Sequence, residues 1–229
     1  MGNSDITLIV LLSLATLLPF VVASGTCFIK FSVVLVLVRN ALGIQQVPSN
    51  LVLNSIALIL SVFVMMPVTQ HAYGYLQQHP VNVMDTNSVN TFIDQGLGNY
   101  KSYLKRYADP DLVNFFEKAQ TARLKGEQDG DTAVADDGQP QTLDNSLFAL
   151  LPAYALTELK NAFRIGFYLY LPFVVIDMIV SSVLLALGMM MMSPVTISIP
   201  IKLILFVAMD GWTLICKGMV MQYLTLMKG

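Results

Sequence analysis

The sequence predicts a mainly α, membrane-associated protein made of two similar kinked helical hairpins with a small helical soluble domain inserted between them. Three observations carry that prediction. Of 229 residues, 55% are hydrophobic and only 12% charged, and the mean hydropathy is +0.64, too apolar for an ordinary soluble domain. Apolar runs at 6–22 continuing through 28–38, at 51–66, at 167–187 and at 195–216 approach the ~20 residues that cross a bilayer. They give four helical passages when the first long run is counted as one. From 68 to 146 the composition turns polar and acidic, with eleven carboxylates against six bases, as in a soluble insert. The expected divisions are therefore 1–67, 68–146 and 147–229.

The first helix is expected over about 5–40. At 1.5 Å per residue its ~35 residues span near 50 Å against a hydrocarbon core of about 30 Å, so it must kink, tilt or leave the bilayer. Pro19 supplies a hinge, and Ser24-Gly25-Thr26-Cys27 allows another backbone to approach closely. No positive side chain precedes the run, and it is longer than a signal-peptide core, so it is expected to remain as a first helix. Lys30 sits among Phe28, Ile29, Phe31 and Val33, where a charge costs about 2.5–3.5 kcal/mol and should face protein or water. Gly43 is placed as a helix C-cap, Pro48 as a stop, and Ser49 or Asn50 as the cap of a second helix running to Met66 and Pro67.

In the insert, Asn87 or Ser88 opens a helix through about Tyr107. Asp109-Pro110 then reads as an N-cap followed by proline at the first helical position, opening another helix through about Lys125. Residues 126–142, rich in Gly, Asp, Gln and Pro, have little to bury and are expected to form a mobile linker. The second apolar half repeats the first: Leu18-Pro19-Phe20-Val21-Val22 recurs as Leu171-Pro172-Phe173-Val174-Val175, and Leu42-Gly43 before Pro48 is echoed by Leu187-Gly188 before Pro194. This is either chance in so apolar a chain or the trace of two similar hairpins, as in membrane proteins that form transport paths. Pro172, Gly188 and Pro194 are the hinges expected in the second half.

Gly188 is followed by Met189-Met190-Met191-Met192-Ser193-Pro194. Four consecutive methionines form no amphipathic stripe, and the flanking glycine and proline favour a bend or loop. Thioether side chains close soft surfaces without a fixed shape, so the run is either a greasy interhelical turn or a compressible seal. In the last helix Lys202, Asp210 and Lys217 project at 0°, about 80° and about 60° on a 100° wheel. That one-sided set, joined by Thr213, is either a solvated face or an interface of paired charges between subunits.

The chemistry of catalysis is absent from the pattern. His71 and His79 are isolated, with no metal-binding spacing, and there is no glycine-rich phosphate loop. A net charge of −2 offers no basic surface for nucleic acid. Cys27 and Cys216 lie far apart inside apolar runs, so two buried thiols are expected rather than a disulfide. Asp177 and Asp210, intramembrane by position, could serve a proton relay, with a structural ion pair the expected use of each. No enzyme activity, cofactor or metal is expected.

The segment at 31–50, ending R-N-A-L-G-I-Q-Q-V-P-S-N, resembles the N-terminal signature of the SctR/FliP family of type III secretion systems. So do 151–167, L-P-A-Y-A-L-T-E-L-K-N-A-F-R-I-G-F, and L-G-M-M-M-M-S-P followed by Asp210-Gly211-Trp212. The nearest likeness is to the SpaP-type injectisome branch. The resemblance implies an export-gate subunit of the bacterial inner membrane, five copies coiling into a conical assembly raised toward the periplasm. It implies SctS/FliQ-like, SctT/FliR-like, SctU/FlhB-like and SctV/FlhA-like partners and unfolded secreted proteins as cargo. It also implies a pore gasket at Met190, Met191 and Met192 with Met189 at its edge; the isolated charges Lys30, Asp177, Lys202, Asp210 and Lys217 are expected at subunit interfaces. The alternative from another class is a secondary transporter of a small solute or ion, using Lys30, Asp177 and Asp210 near a midplane site.

Overall fold

The computed structural model describes residues 2–44, 46–79, 86–128, 147–189 and 192–227, and all regular structure among them is helical. In chain order the helices are α1 (Gly2–Gly25), α2 (Phe28–Ala41), α3 (Asn50–Gln78), α4 (Thr86–Thr91), a π-helical turn (Phe92–Gly96), α5 (Gly98–Tyr107), α6 (Pro110–Gln128), α7 (Leu147–Ala186), α8 (Pro194–Ala208) and α9 (Gly211–Met227). They form two compact units, Met1–Thr26 with Met65–Glu158 and Cys27–Val64 with Leu159–Gly229. α3 and α7 are long and apolar enough to cross a membrane, and up to four spans result if the two bent helix pairs are counted as one each.

In place of one helix over 5–40 the chain has two. Pro19 lies inside α1, and the interruption comes at Thr26 and Cys27. Hydroxyls there compete for helical carbonyls: Ser24 Oγ donates to Phe20 O at 2.7 Å and Thr26 Oγ1 to Val22 O at 2.6 Å. Tyr100 from α5 donates to Gly25 O at 2.8 Å, an approach only glycine permits, since a Cβ would collide with that hydroxyl. Burial pushes the Tyr100 hydroxyl up to about 12.

The first unit is centred on tyrosines. α5 places Tyr100, Tyr103, Leu104 and Tyr107 at helical spacing, and Tyr103 and Leu104 are buried. The Tyr103 and Tyr154 hydroxyls share a hydrogen bond of 2.6 Å, which satisfies two polar groups in an apolar setting. Thr157 Oγ1 accepts from the Asp109 amide at 2.9 Å and donates to Ala153 O at 2.7 Å, fixing the start of α6 on α7. Asp109 Oδ1 accepts from the Asp111 amide at 3.1 Å, the capping role its position before Pro110 predicts.

The single helix expected from 87 to 107 is three pieces. Leu97 donates to Phe92 O, five residues back, at 3.0 Å, and Gly96 packs its bare backbone on the rings of Phe92 and Tyr75. Two glycines within three residues weaken the helix at the point where tertiary packing asks for a wider turn. α6 runs to Gln128, so 126–128 are helical, while the rest of the 126–142 linker lies outside the described residues.

In the second unit Phe31, Val34, Leu35, Val38 and Leu42 from the α2 segment are buried together with Leu53, Ala57, Ala162, Phe173, Phe206, Met219 and Tyr223. Gly166 of α7 lets Leu37 approach its backbone. Cys27 is buried, its thiol donating to Ser61 Oγ at 3.6 Å, and Cys216 is half-buried; neither forms a disulfide, and the second is less enclosed than its apolar run predicts. Much of α3 and α7 keeps large apolar side chains exposed, among them Ile59, Val62, Phe63, Phe167, Met178 and Ile179. Those faces require lipid or other chains.

Candidate functional site: the methionine turn and its charged supports

At 40 residues α7 is about 60 Å long, twice the hydrocarbon thickness, and its end is built to stop sharply. Gly188 takes φ +72. Its amide donates to Leu185 O at 3.0 Å, and the Met189 amide donates to Leu184 O at 3.0 Å, the two bonds of a Schellman cap. Ser193 is extended and Pro194 occupies the first turn of α8, where a missing amide hydrogen costs nothing. Between these two stops the described methionines, Met189 and Met192, are exposed, as are Leu187 and Val195 beside them. The turn thus presents apolar, deformable side chains outward. Met190 and Met191 lie outside the described residues.

The first hairpin shares the left-handed glycine and the first of these two bonds. Gly43 follows α2 with φ +79, its amide donating to Asn40 O at 3.0 Å, and Pro48 precedes α3. Leu42-Gly43 and Leu187-Gly188 thus share a local structure as well as letters. Arg39 fastens the first connector, donating to Asn50 Oδ1 at 2.6 Å and Pro48 O at 3.2 Å.

Lys202 of α8 is 3% exposed, a burial that a charge tolerates only with close partners. Its Nζ donates to Asp177 Oδ2 of α7 at 2.6 Å and lies 3.4 Å from Ala41 O, at the end of α2. The negative end of that helix suits a cation. Ser198, Lys202 and Phe206, all buried, form one face of α8 at four-residue spacing. Lys30 is buried too, its Nζ 4.5 Å above the Tyr223 ring and 3.4 Å from Gln222 Oε1, a cation–π arrangement from α2 to α9.

The projection of Lys202, Asp210 and Lys217 onto one face assumed a continuous helix, and the structure corrects it. α8 ends at Ala208, α9 starts at Gly211, and the two are bent by 57°. Asp210 sits at φ +51 in the break, exposed, accepting from Thr213 Oγ1 at 2.8 Å. Gly211 follows because a Cβ there would run into the Phe206 ring. Lys217 is exposed on α9. Pro172 lies inside the unbroken α7.

What the residue-by-residue reading missed is that Asp177 and Lys202 are partners. The signal was present: they are the only charges between Arg164 and Asp210, of opposite sign, one on each side of the methionines. Two isolated charges in an apolar stretch gain most by meeting.

A family model for FliP matches residues 11–219. The chain belongs to the FliP family. It is 60% identical over 224 residues to the surface presentation of antigens protein SpaP of Salmonella typhi, covering 98% of each chain. It is 46% identical to the Yop proteins translocation protein R of Yersinia pestis over 96% of each. With the harpin secretion protein HrcR of Erwinia amylovora it shares 37% identity over 95% of this chain and 96% of that one. In this member of the FliP family the R-N-A-L-G segment is the α2 cap with its Arg39 clamp, 151–167 lies within α7, and Asp210-Gly211-Trp212 is the bend between α8 and α9.

Proposed function

We propose that this FliP-family chain is a pore-forming, non-catalytic subunit of a type III secretion export gate in the bacterial inner membrane. Five copies surround a path for unfolded proteins, and Met189–Met192 close it. The observation that carries this reading is the pair of exposed methionines, Met189 and Met192, set between the glycine cap of α7 and the Pro194 start of α8, two apolar helices with exposed apolar side chains. Relatives named for Yop translocation and harpin secretion support the cargo class. SctS/FliQ-like and SctT/FliR-like subunits complete the cone, SctU/FlhB-like and SctV/FlhA-like components adjoin it, and the assembly stands toward the periplasm.

A ring of thioethers can close against ions without a rigid fit and part around a polypeptide, because methionine has three rotatable bonds and shifts rotamer readily. Replacing Met190, Met191 and Met192 together by alanine removes that volume and adds no charge. The expected result is normal assembly, a membrane that leaks ions or small molecules, and secretion altered less than leakage. A fully assembled triple variant as tight as the parent in a conductance assay returns the run to an interhelical turn. The transporter reading has less support: Asp177 is engaged by Lys202, Lys30 lies under Tyr223, and Asp210 is exposed beyond a helix break.

A further inference from the structure

Met189 lies just past the end of α7 and Met192 just before the start of α8, so where these two side chains stand is set by those helices. Asp177 lies eleven residues before Gly188 on α7, and Lys202 eight after Pro194 on α8, about 16 Å and 12 Å down the two stems at 1.5 Å per residue. Their 2.6 Å ion pair is a polar tie across the stems, well below the turn. Lys202 is almost enclosed, and its second contact, to Ala41 O, joins the α8 stem to the end of α2. On the other side of that junction Gly43 comes so close to Ile199 of α8 that a Cβ would stand 2.9 Å from Ile199 Cγ1. The α2 cap, α8 and α7 thus meet around one ammonium group.

We propose that Lys202 and Asp177 are positioning residues for the gate: their pair fixes the spacing of the two stems, one leading into Met189 and the other following Met192. The carboxylate suits that task because it is only partly committed. Asp177 Oδ2 takes the ammonium, while Oδ1 is enclosed without a hydrogen-bond partner among the described residues, so the single bond to Lys202 is what ties this carboxylate to the α8 stem. Hydrophobic contact alone would allow the stems to slide. An ion pair with one short bond admits a single registration.

The inference deepens the gate reading and rests on it for its consequence, so its test reads the stems directly as well as the leak. In a full chain with Cys27→Ala and Cys216→Ala, spin labels are placed at the exposed positions Leu187→Cys and Val195→Cys. Labelled chain is diluted into unlabelled chain within assembled complexes, and the distance distribution is measured by pulsed electron resonance. The parent should give one narrow peak, Asp177→Asn and Lys202→Met a broadened or lengthened one, and Lys202→Arg a peak close to the parent. In the same unlabelled variants ion leak should rise by about tenfold, because Asp177→Asn leaves the enclosed Lys202 ammonium without its counter-charge and Lys202→Met removes the tie. Broadening with leak supports both readings. Broadening without leak leaves the stem tie standing and removes the methionine seal. An unchanged distribution in assembled Asp177→Asn and Lys202→Met complexes overturns the inference, whatever the leak does. Should Lys202→Met fail to assemble, the isosteric Asp177→Asn decides alone.

Discussion

At the scale of single residues, burial decides which polar groups matter. Tyr100 and Tyr154 are both hydrogen-bonded within the tyrosine cluster, Tyr100 to a backbone carbonyl that only a glycine leaves reachable. With its hydroxyl held at about 12 against about 10 in an unfolded chain, Tyr100 contributes stability that is fully present below pH 10. It is lost as pH rises from there through 12, because the unfolded chain ionises first. Detergent-solubilised protein should show this decline in denaturant or thermal melts. Tyr100→Phe should remove that part of the slope, at a cost near neutral pH of about 1 kcal/mol for the lost hydrogen bond. An identical slope in both proteins would show that Tyr100 is not the group responsible. Asp210, by contrast, is exposed with Thr213 as its hydrogen-bonding neighbour. Asp210→Leu should cost the isolated chain about 1 kcal/mol, because Asp210 holds a left-handed backbone that aspartate tolerates better than leucine. If Asp210 serves a subunit contact, the same variant should lower the yield of purified complex, and normal assembly and secretion would remove that role.

At the scale of elements, α2 and α7 end where a glycine takes a left-handed backbone, Gly43 and Gly188. Gly43 and Gly188 do the same work at the two caps, yet their surroundings differ. A Cβ at Gly188 meets nothing within 4 Å among the described residues, whereas one at Gly43 meets Ile199. Both alanine variants carry the left-handed penalty of about 1–2 kcal/mol, and Gly43→Ala adds a steric conflict in the packed second unit. The expected order of thermal stability is parent, then Gly188→Ala, then Gly43→Ala; the reverse order of the two variants would contradict the packing at Ile199. The break at Asp210 and Gly211 belongs to the same class of decision. A 100° wheel drawn through it misplaced two charges because the wheel assumes hydrogen bonds that the chain does not make.

At the scale of the whole molecule, the uncovered apolar faces of α3 and α7 set the expectation. Such faces call for lipid on one side and other chains on another, and the proposed five-copy gate supplies both. Native mass spectrometry of the purified chain, alone and with co-expressed FliQ-like and FliR-like subunits, should show a multi-copy complex. A chain that stays monomeric in every combination would favour the transporter. The linker expected from composition over 126–142 is rich in Gly, Asp and Gln, so a short internal deletion there should leave complex yield nearly unchanged. Loss of the complex would mean that the segment docks.

What the sequence by itself determined was class and punctuation. Apolar content required helices in a membrane, Pro110 and Pro194 marked helix starts, Gly43 and Gly188 marked stops, and the R-N-A-L-G and methionine motifs pointed to the FliP family. These are local signals, carried by hydropathy and by backbone restrictions within a few residues. Only the tertiary structure decided that the first long run breaks at Thr26 and Cys27 although its proline is Pro19, that a π-helical turn interrupts 87–107, and that Asp177 belongs to Lys202. Each of those outcomes depends on a partner distant in the chain: Tyr100 reaching Gly25, Tyr75 lying against Gly96, and an ammonium on α8 that meets α7 and the end of α2 together. A helix can read its own caps, but which buried charge it will face is settled by the neighbour that packs against it.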